Sequence, residues 1–202
     1  MEPARLVELH YITPISNVPS IASRGLLSHR RAARHEPDSI ALADVQERRE
    51  GTSVPGGRPL HHYVNLYFNA RNPMLYLRSI EKHEAVCVLR VDASVLELTG
   101  VVVTLENAAR SLVRFWAPDE GIEALEEEVV FARYWTHRGD PVAAYRHKGA
   151  MCAEVLVPDR VSPDRILGTY VPCQHAKDAF DSLRTAIPSA INRDIFFGVC
   201  QA

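Results

Sequence analysis

Short apolar segments of the β-strand type recur in both halves of the chain, and they constrain the fold more than any other feature. They occupy residues 7–13, 63–68, 85–92, 101–105, 148–158 and 165–171. Each one alternates apolar and polar residues or forms a brief apolar run, as half-buried and buried strands do. Helices are predicted between and after them, at residues 107–116, 119–134 and 175–187. This arrangement favours a mixed α+β domain.

The N-terminal part adds a short helix and a long polar loop. Residues 17–28 predict a helix with Asn17 as its N-cap, Pro19 in the first turn and Gly25 at its end. Residues 28–60 show little apolar periodicity, with one helical turn predicted at residues 44–49. Long structured loops in compact domains are usually binding or lid segments. We therefore predict a single domain over residues 1–202, with residues 28–60 as its lid or substrate loop.

Composition argues against several classes of protein. With 202 residues the chain can bury a core without disulfide bonds or a structural metal. Its net charge of −2 gives no overall attraction for nucleic acid. It has no G-x-G-x-x-G turn, which argues against a Rossmann dinucleotide site. The cysteines lack zinc-site spacing, so we expect no metal. No apolar stretch reaches the ~18 residues of a membrane helix, and the start lacks a signal-peptide layout, which predicts a cytoplasmic protein without a membrane partner.

Basic residues are concentrated in the N-terminal third of the chain. Arginines stand at positions 24, 30, 31, 34, 48 and 49, whereas residues 119–128 are strongly acidic. A basic segment of this kind could bind phosphates. It is equally typical of solvated helix and loop faces, so charge alone does not decide between the two.

Glu154 is the most informative single position. It lies in the predicted strand MCAEVLV, where alternation places it on one face with Cys152 and Leu156. A carboxylate on an apolar face is costly unless it is hydrogen-bonded or paired. Glu154 is therefore either a functional carboxylate or a structural one, at a sheet edge or in an ion pair with an arginine.

One more segment carries side chains that suit a ligand. His10, Tyr11 and Thr13 end a strand that leads directly into the helix capped by Asn17. Hydrogen-bonding groups beside a helix N-terminus are a natural place for a phosphate or an amide. The same pattern is also typical of an ordinary strand-turn-helix unit.

A third cluster follows the strand at residues 63–68. Tyr67 and Arg71 stand where this strand gives way to a proline turn, and Met74 comes just after the proline. Aromatic and Met side chains near an arginine could hold a nicotinamide or a splayed-out base. They serve equally well as core residues.

Three blocks of the sequence carry a family resemblance. They are HYITPISNVPSIASRGLLSH, IALADVQERR…VPGGRPLHHYVNLYFNARNPMLY and KGAMCAEVLVPDRV, within residues 9–171. Together they resemble the DarT family of DNA-base ADP-ribosyltransferase toxins, and the NLYFNARNPML and AEVLVP segments make the resemblance specific. The family often has His where this chain has Tyr11, and His-Asp-Tyr where this chain has His61-His62-Tyr63.

The resemblance implies a fold and a catalytic set. The fold would be a split, mostly antiparallel β core around an NAD⁺ cleft, with helical insertions. The family's catalytic glutamate falls on Glu154, where a carboxylate would stabilise the positive charge that builds on the ribose as nicotinamide leaves. The family's acceptor-activating arginine maps to residues 46–49, so either Arg48 or Arg49 would polarise the base carbonyl.

The same resemblance implies the contacts to NAD⁺, which would serve as co-substrate. The residues expected to bind it are His10, Tyr11, Thr13, Asn17, Tyr67, Arg71 and Met74. The first three would meet nicotinamide or ribose, and Asn17 would lie near the pyrophosphate. Residues 28–60 would cover the cleft and guide a single strand into it.

The expected acceptor is a thymine or a guanine of single-stranded DNA, because a base edge is inaccessible in a duplex. The expected partner is a macrodomain-containing antitoxin that removes the modification. Alternatives are an NAD⁺-dependent RNA-modifying transferase, by ADP-ribosylation or 2′-phosphotransfer, and a non-catalytic nucleic-acid-binding module. A protein-directed ADP-ribosyltransferase usually shows Glu-x-Glu or Gln-x-Glu at this strand, whereas this chain has Cys152-Ala153-Glu154.

Overall fold

The computed structural model of the protein describes residues 6–39 and 42–198. Its strands are β1 (Glu8–Pro14), β2 (Leu26–Leu27), β3 (Tyr63–Tyr67), β4 (Val86–Asp92), β5 (Val102–Thr104), β6 (Glu154–Pro158), β7 (Arg160–Val161), β8 (Ile166–Val171) and β9 (Ser189–Ile191). Its helices are α1 (Val18–Arg24), α2 (His29–Ala32), α3 (Ala43–Glu50), α4 (Pro73–Lys82), α5 (Pro118–Ala124), α6 (Glu127–Val130), α7 (Pro141–Ala150) and α8 (Gln174–Asp181). The architecture is the mixed α+β class that the sequence predicted.

Among the described strands, seven form one sheet in the order β5-β6-β3-β1-β4-β8-β9, and β2 pairs with β7 separately. Neighbours in the large sheet run antiparallel, except that β8 and β9 are parallel. Leu66, Leu89 and Val155 are fully buried and belong to one core cluster, which also takes in Ile122 of α5. The burial of these apolar side chains is what holds the helix against the sheet.

The large sheet is split between β1 and β3. These two strands share a single register pair, His10 with Tyr67, whereas β1 and β4 are paired along the whole of Glu8–Pro14. Beyond the shared pair the two strands diverge. The sheet therefore consists of two halves, β5-β6-β3 and β1-β4-β8-β9, which meet only at one end.

Of the three helices predicted in the middle and late parts of the chain, one is wrong and two are wrong in part. Residues 107–116 form turns instead of a helix, because Asn107 accepts a hydrogen bond from the Ala109 backbone N–H at 2.9 Å. Such local side-chain bonds compete with helix formation. Residues 119–134 contain two short helices, α5 and α6, with a break between them, and α8 ends at Asp181, well before residue 187.

Other boundaries were also misplaced. The strand predicted over residues 148–158 begins only at Glu154, because residues 148–150 end α7 and residues 151–153 form the turn that follows it. Asp140 caps this helix by accepting the Ala143 N–H at 2.8 Å, and Pro141 follows in its first turn. This Asp-Pro pair is a helix-start signal that the sequence analysis passed over. The single turn predicted at residues 44–49 is a complete helix, α3, and the proline turn near Pro73 is the start of α4.

Candidate active site

A cleft of about 940 Å³ opens where the two halves of the sheet diverge. Tyr11 and Thr13 of β1 line one wall, and Tyr67 at the end of β3 lines the other. Residues 35–39 and helix α3 border the cleft from the loop that the sequence analysis predicted as a lid. The volume lies near the upper end of the ~300–1,000 Å³ typical of small-molecule sites.

Glu154 begins β6, beside this cleft, and is fully buried. Its neighbours across the sheet are Tyr67 on β3 and Thr104 on β5. Its Oε1 accepts the backbone N–H of Ala108 at 3.4 Å. The sequence pattern placed this carboxylate on an apolar strand face, and the structure buries it there.

Arg49 of α3 is the charged partner of Glu154. Its Nη1 donates to Glu154 Oε2 at 2.9 Å, and the two side chains are 6% and 0% exposed. Removing one member of a buried pair leaves the other uncompensated, which typically costs ~3–5 kcal/mol. Arg49 lines the cleft, whereas Glu154 lies directly behind it. Arg49 Nη2 is buried and has no hydrogen-bond partner among the described residues.

Two tyrosines flank this ion pair on the cleft side. Burial raises the pKa of Tyr67 well above its ordinary value, and the nearby Glu154 carboxylate adds to the increase. Burial also raises the pKa of Tyr11, with Arg49 opposing the change. Both side chains therefore remain neutral phenols at physiological pH and can donate hydrogen bonds. We call Tyr67, Arg49 and Glu154 the cleft floor.

Arg48, the neighbour of Arg49 on α3, is exposed and pairs with Asp44 at 3.2 Å, one helical turn earlier. It borders the cleft on its solvent side. The sequence analysis left the choice between Arg48 and Arg49 open. The structure places Arg49 against Glu154 and Arg48 towards solvent.

Asn17 anchors the loop segment that borders the cleft at residues 35–39. Its Nδ2 donates to the carbonyl of Asp38 at 2.8 Å, and its Oδ1 accepts the Asp38 N–H at 3.0 Å. Nδ2 also contacts Thr13 Oγ1 at 3.3 Å. Asn17 stands at the N-cap position of α1 but makes no capping bond with its side chain. Asn17, Asp38, Asp44 and Arg48 all line the cleft, and we call them the cleft rim.

The structure brings most, but not all, of the predicted NAD⁺-binding residues to the cleft. Met74, at the start of α4, lines it together with Tyr11, Thr13, Asn17 and Tyr67.

Arg71 and His10 are not among the lining residues. Arg71 donates to the backbone carbonyls of Asp194 and Phe196, and its guanidinium lies 4.0 Å from the ring centroid of Phe197. It thus fixes the C-terminal segment. His10 binds Glu8 and the Phe68 carbonyl instead.

Sequence reasoning missed several lining residues. Asp38 belongs to the loop and became recognisable only through its bonds to Asn17. Arg110, Tyr145 and Lys148 line the cleft where α7 faces the turn after β5. The Arg110 guanidinium lies 4.3 Å from the Tyr145 ring centroid. The i, i+3 spacing of Tyr145 and Lys148 was the available signal, and it was hidden because residues 148–158 were assigned to a strand.

A search for metal-binding clusters of three or more His, Cys, Asp or Glu side chains finds none within residues 6–39 and 42–198. Cys87 and Cys152 are free and buried. In the same part of the chain, no helix has the length and apolar character needed to span a membrane.

Comparison with known proteins identifies the relatives of this chain. A family model described as "ssDNA thymidine ADP-ribosyltransferase, DarT" matches residues 10–197. The DNA ADP-ribosyl transferase–DNA ADP-ribosyl glycohydrolase fusion protein of Thermosipho africanus is 31% identical over 173 residues, covering 83% of this chain and 43% of the relative. The DNA ADP-ribosyl transferase of Thermus sp. is 32% identical over 137 residues, covering 63% and 66%. The chain thus spans less than two thirds of these curated relatives.

Solved structures agree in fold. Thermosipho africanus DarTG in complex with ADP-ribose gives a TM-score of 0.82 at 28% identity, covering 95% of this chain and 51% of that one. Thermus sp. 2.9 DarT in complex with ADP-ribosylated ssDNA gives 0.79 at 26% identity, covering 95% and 97%. The split sheet and its cleft are therefore those of an ADP-ribosyltransferase fold. The chain belongs to the DarT family of ssDNA thymidine ADP-ribosyltransferases.

Proposed function

We propose that this protein transfers ADP-ribose from NAD⁺ to a thymine base of single-stranded DNA and releases nicotinamide. The observation that carries the proposal is the fully buried Glu154 carboxylate, 2.9 Å from Arg49, directly behind a cleft between two half-sheets. Family membership supports the reaction class. The family description names thymidine, which favours thymine over the guanine that the sequence analysis also allowed.

Glu154 is proposed as the catalytic carboxylate. Positive charge builds on the ribose as its bond to nicotinamide breaks, and a fixed carboxylate stabilises that charge more in the transition state than in the ground state. Burial strengthens this effect, because little water screens the carboxylate. Ala108 and Arg49 hold the side chain in place from two directions.

Arg49 is proposed as the residue that activates the acceptor. A thymine ring nitrogen is a poor nucleophile while it carries its proton, and a permanently charged guanidinium beside the base carbonyl favours loss of that proton. Arg49 lines the cleft, and its Nη2 has no hydrogen-bond partner in the described part of the chain, so this donor is available for that carbonyl. Arg48 points to solvent and pairs with Asp44, so it suits a phosphate contact better.

NAD⁺ would bind between the tyrosines and the loop that Asn17 holds. Tyr11, Thr13 and Tyr67 would meet its nicotinamide riboside end, with Met74 as an apolar neighbour. Tyr11 and Tyr67 would donate hydrogen bonds as phenols. Residues 28–60 would cover the cofactor and, with their arginines, guide the DNA strand.

The strand would pass the cleft mouth, where Arg48, Arg110 and Lys148 offer positive charge. Phosphate contacts are sequence-independent and weaken as salt rises. A toxin-type activity of this kind needs an enzyme that reverses it. The Thermosipho relative carries a DNA ADP-ribosyl glycohydrolase in the same chain, which supports a macrodomain-containing antitoxin as the partner of this protein.

The direct test incubates the protein with labelled NAD⁺ and four single-stranded DNA oligonucleotides, each of which lacks one base. We expect label on the three that contain thymine and none on the fourth. An RNA version of the thymine-containing sequence is the control for nucleic-acid type. Labelling of the thymine-free oligonucleotide, or of RNA alone, would overturn the proposed acceptor.

A further inference from the structure

The two half-sheets are joined at their closed end by a cluster of charged and polar side chains. His10 Nε2 lies 3.2 Å from Glu8 Oε1, and its Nδ1 lies 3.2 Å from the Phe68 carbonyl oxygen. Glu8 Oε2 accepts from Arg90 of β4 at 2.7 Å, and Tyr170 of β8 donates to Glu8 Oε1 at 3.4 Å. The cluster thus links β8, β4 and β1 to the end of β3.

His10 makes the side-chain link across the split. It is also the β1 member of the single backbone register pair that joins β1 to β3. Its ring reaches Phe68, the residue that follows Tyr67 at the end of β3. The Phe68 N–H in turn donates to the carbonyl of Ala153 at 3.4 Å, directly before Glu154. A short chain of contacts therefore runs from His10 to the cleft floor.

Both partners of the imidazole are acceptors only. A backbone carbonyl cannot donate, and the pKa of Glu8 is lowered to about 2, chiefly by its hydrogen bond with His10, so Glu8 is an ionised carboxylate. The two bonds can exist together only when both ring nitrogens carry a proton. The hydrogen-bond geometry therefore calls for an imidazolium.

We propose that His10 is a positioning residue for the transfer reaction: as an imidazolium it ties β1 to the end of β3, and so holds Glu154 and the cleft in reactive geometry. This inference rests on the proposed function. It replaces the sequence-based expectation that His10 contacts NAD⁺. When His10 loses a proton, one of its two bonds is lost, and the join between the half-sheets loosens.

The charged and titratable groups around His10 do not compete with it in the neutral range. Glu8, on the same strand as His10, stays ionised. Arg90, which is the register partner of His10 on β4, has a raised pKa and stays charged. Tyr67 on β3 and Tyr170 on β8 also have raised pKa values, so they stay neutral. These neighbours therefore keep their charges through the neutral range and do not themselves alter the two bonds of His10.

The test compares pH profiles of wild type and His10→Gln for DNA transfer and for NAD⁺ hydrolysis. Glutamine is uncharged at every pH and cannot reproduce the two opposed ring donors. We expect wild-type kcat to fall about tenfold once pH is high enough to remove one ring proton, since a charge-assisted bond is lost. His10→Gln should be low throughout and lack this step. KM for NAD⁺ should change less than about twofold, because binding contacts remain.

Two further measurements keep the inference open to refutation. His175→Gln is the matched control, because His175 is exposed and lies 3.8 Å from a glutamate of its own, Glu84. Its pH profile should match wild type. The second measurement is a long-range ¹H–¹⁵N spectrum of the histidine rings, in which the signals absent from His10→Gln identify His10. Both ring nitrogens should be protonated where the enzyme is active.

Results that contradict the role of His10 differ from results that contradict the proposed function. A neutral His10 ring throughout the active pH range, or an alkaline step that persists unchanged in His10→Gln, would overturn the positioning role. Failure of the wild type to label DNA would instead contradict the proposed function, and NAD⁺ hydrolysis together with the ring spectrum would still decide the role of His10.

Discussion

The cleft floor and the cleft rim each contain an arginine paired with a carboxylate, but the pair in the floor is buried and the pair in the rim is exposed. Arg49 and Arg48 are consecutive on α3, yet one pairs with Glu154 inside the protein and the other with Asp44 at the surface. Adjacent residues on a helix point in different directions, so one helix serves both regions. The comparison shows that position on the helix, and not residue type, decides what each arginine can do.

The two pairs also differ in energetic meaning. An exposed pair such as Arg48–Asp44 is worth little, roughly 0.3–0.5 kcal/mol for this i, i+4 spacing. In a buried pair, the attraction between the charges often does little more than offset the cost of removing them from water. Well-packed apolar residues can therefore replace such a pair without loss of stability. The Arg49–Glu154 pair also leaves Arg49 Nη2 without a hydrogen-bond partner within residues 6–39 and 42–198. Stability alone therefore gives no reason for this pair, whereas the proposed roles of Arg49 and Glu154 in the transfer reaction would give one.

The largest effect is expected at Glu154. Glu154→Gln keeps the side-chain shape and a carbonyl acceptor for Arg49 but removes the charge that is proposed to face the ribose. We expect kcat/KM for DNA labelling to fall about 10³-fold or more. Circular dichroism and thermal melting check that the variant is folded. Labelling at the wild-type rate by a folded variant would remove Glu154 from the mechanism. The Arg49–Glu154 pair would then have a purely structural role.

Arg49→Lys is expected to have the next largest effect. Lysine retains the positive charge beside Glu154 but lacks the second guanidinium donor. Transfer to DNA should fall about 10²-fold, while NAD⁺ hydrolysis falls far less, because hydrolysis needs no activated base. Arg49→Ala extends the comparison and should also lower stability by about 3–5 kcal/mol, since Glu154 is left buried without its partner. Equal loss of transfer and hydrolysis in Arg49→Lys would argue against acceptor activation.

The sequence predicted the strands better than the segments between them. Strands β1, β3, β4, β5 and β8 follow from local alternation and apolar runs, because their burial pattern is set within a few residues. The region 107–150 was misread, since its turns and short helices depend on single side chains such as Asn107 and Asp140. The split of the sheet is a long-range property, and no local pattern encodes it.

The candidate site was partly predictable for the same reason. Glu154 stands out locally as a carboxylate in an apolar strand, so it could be chosen from sequence. Its partner Arg49 lies 105 residues away, and only the fold distinguishes it from Arg48. His10 and Arg71 were chosen because they are near other candidates in sequence. In the structure both side chains point away from the cleft: His10 contacts Glu8, and Arg71 contacts the C-terminal segment.

Asn17 tests whether the cleft rim affects NAD⁺ binding and not the reaction step. Asn17→Ala removes both bonds to the Asp38 backbone, so residues 36–39 are held less firmly to the start of α1, although Ser16 Oγ still donates to Asp38 Oδ2. We expect KM for NAD⁺ to rise about 5- to 20-fold, with little change in kcat, because the lost bonds hold the covering loop and not the reacting groups. Asn192→Ala is the control, since Asn192 makes a comparable bond to the Asp194 N–H. A loss confined to kcat would place Asn17 with the floor.

The smallest effect is expected at Arg48, and it is the sharpest test of the contrast between the two arginines. Arg48→Ala gives up only an exposed ion pair, so stability should change by less than about 0.5 kcal/mol. If Arg48 contacts a DNA phosphate, KM for DNA should rise about two- to threefold, and the slope of log affinity against log salt should fall by about 1. Hydrolysis of NAD⁺ without DNA should be unchanged. A transfer defect as deep as that of Arg49→Lys, at constant NAD⁺ hydrolysis, would mean that Arg48 reaches the reacting base, and that its orientation towards Asp44 is not the one that the enzyme uses with DNA bound.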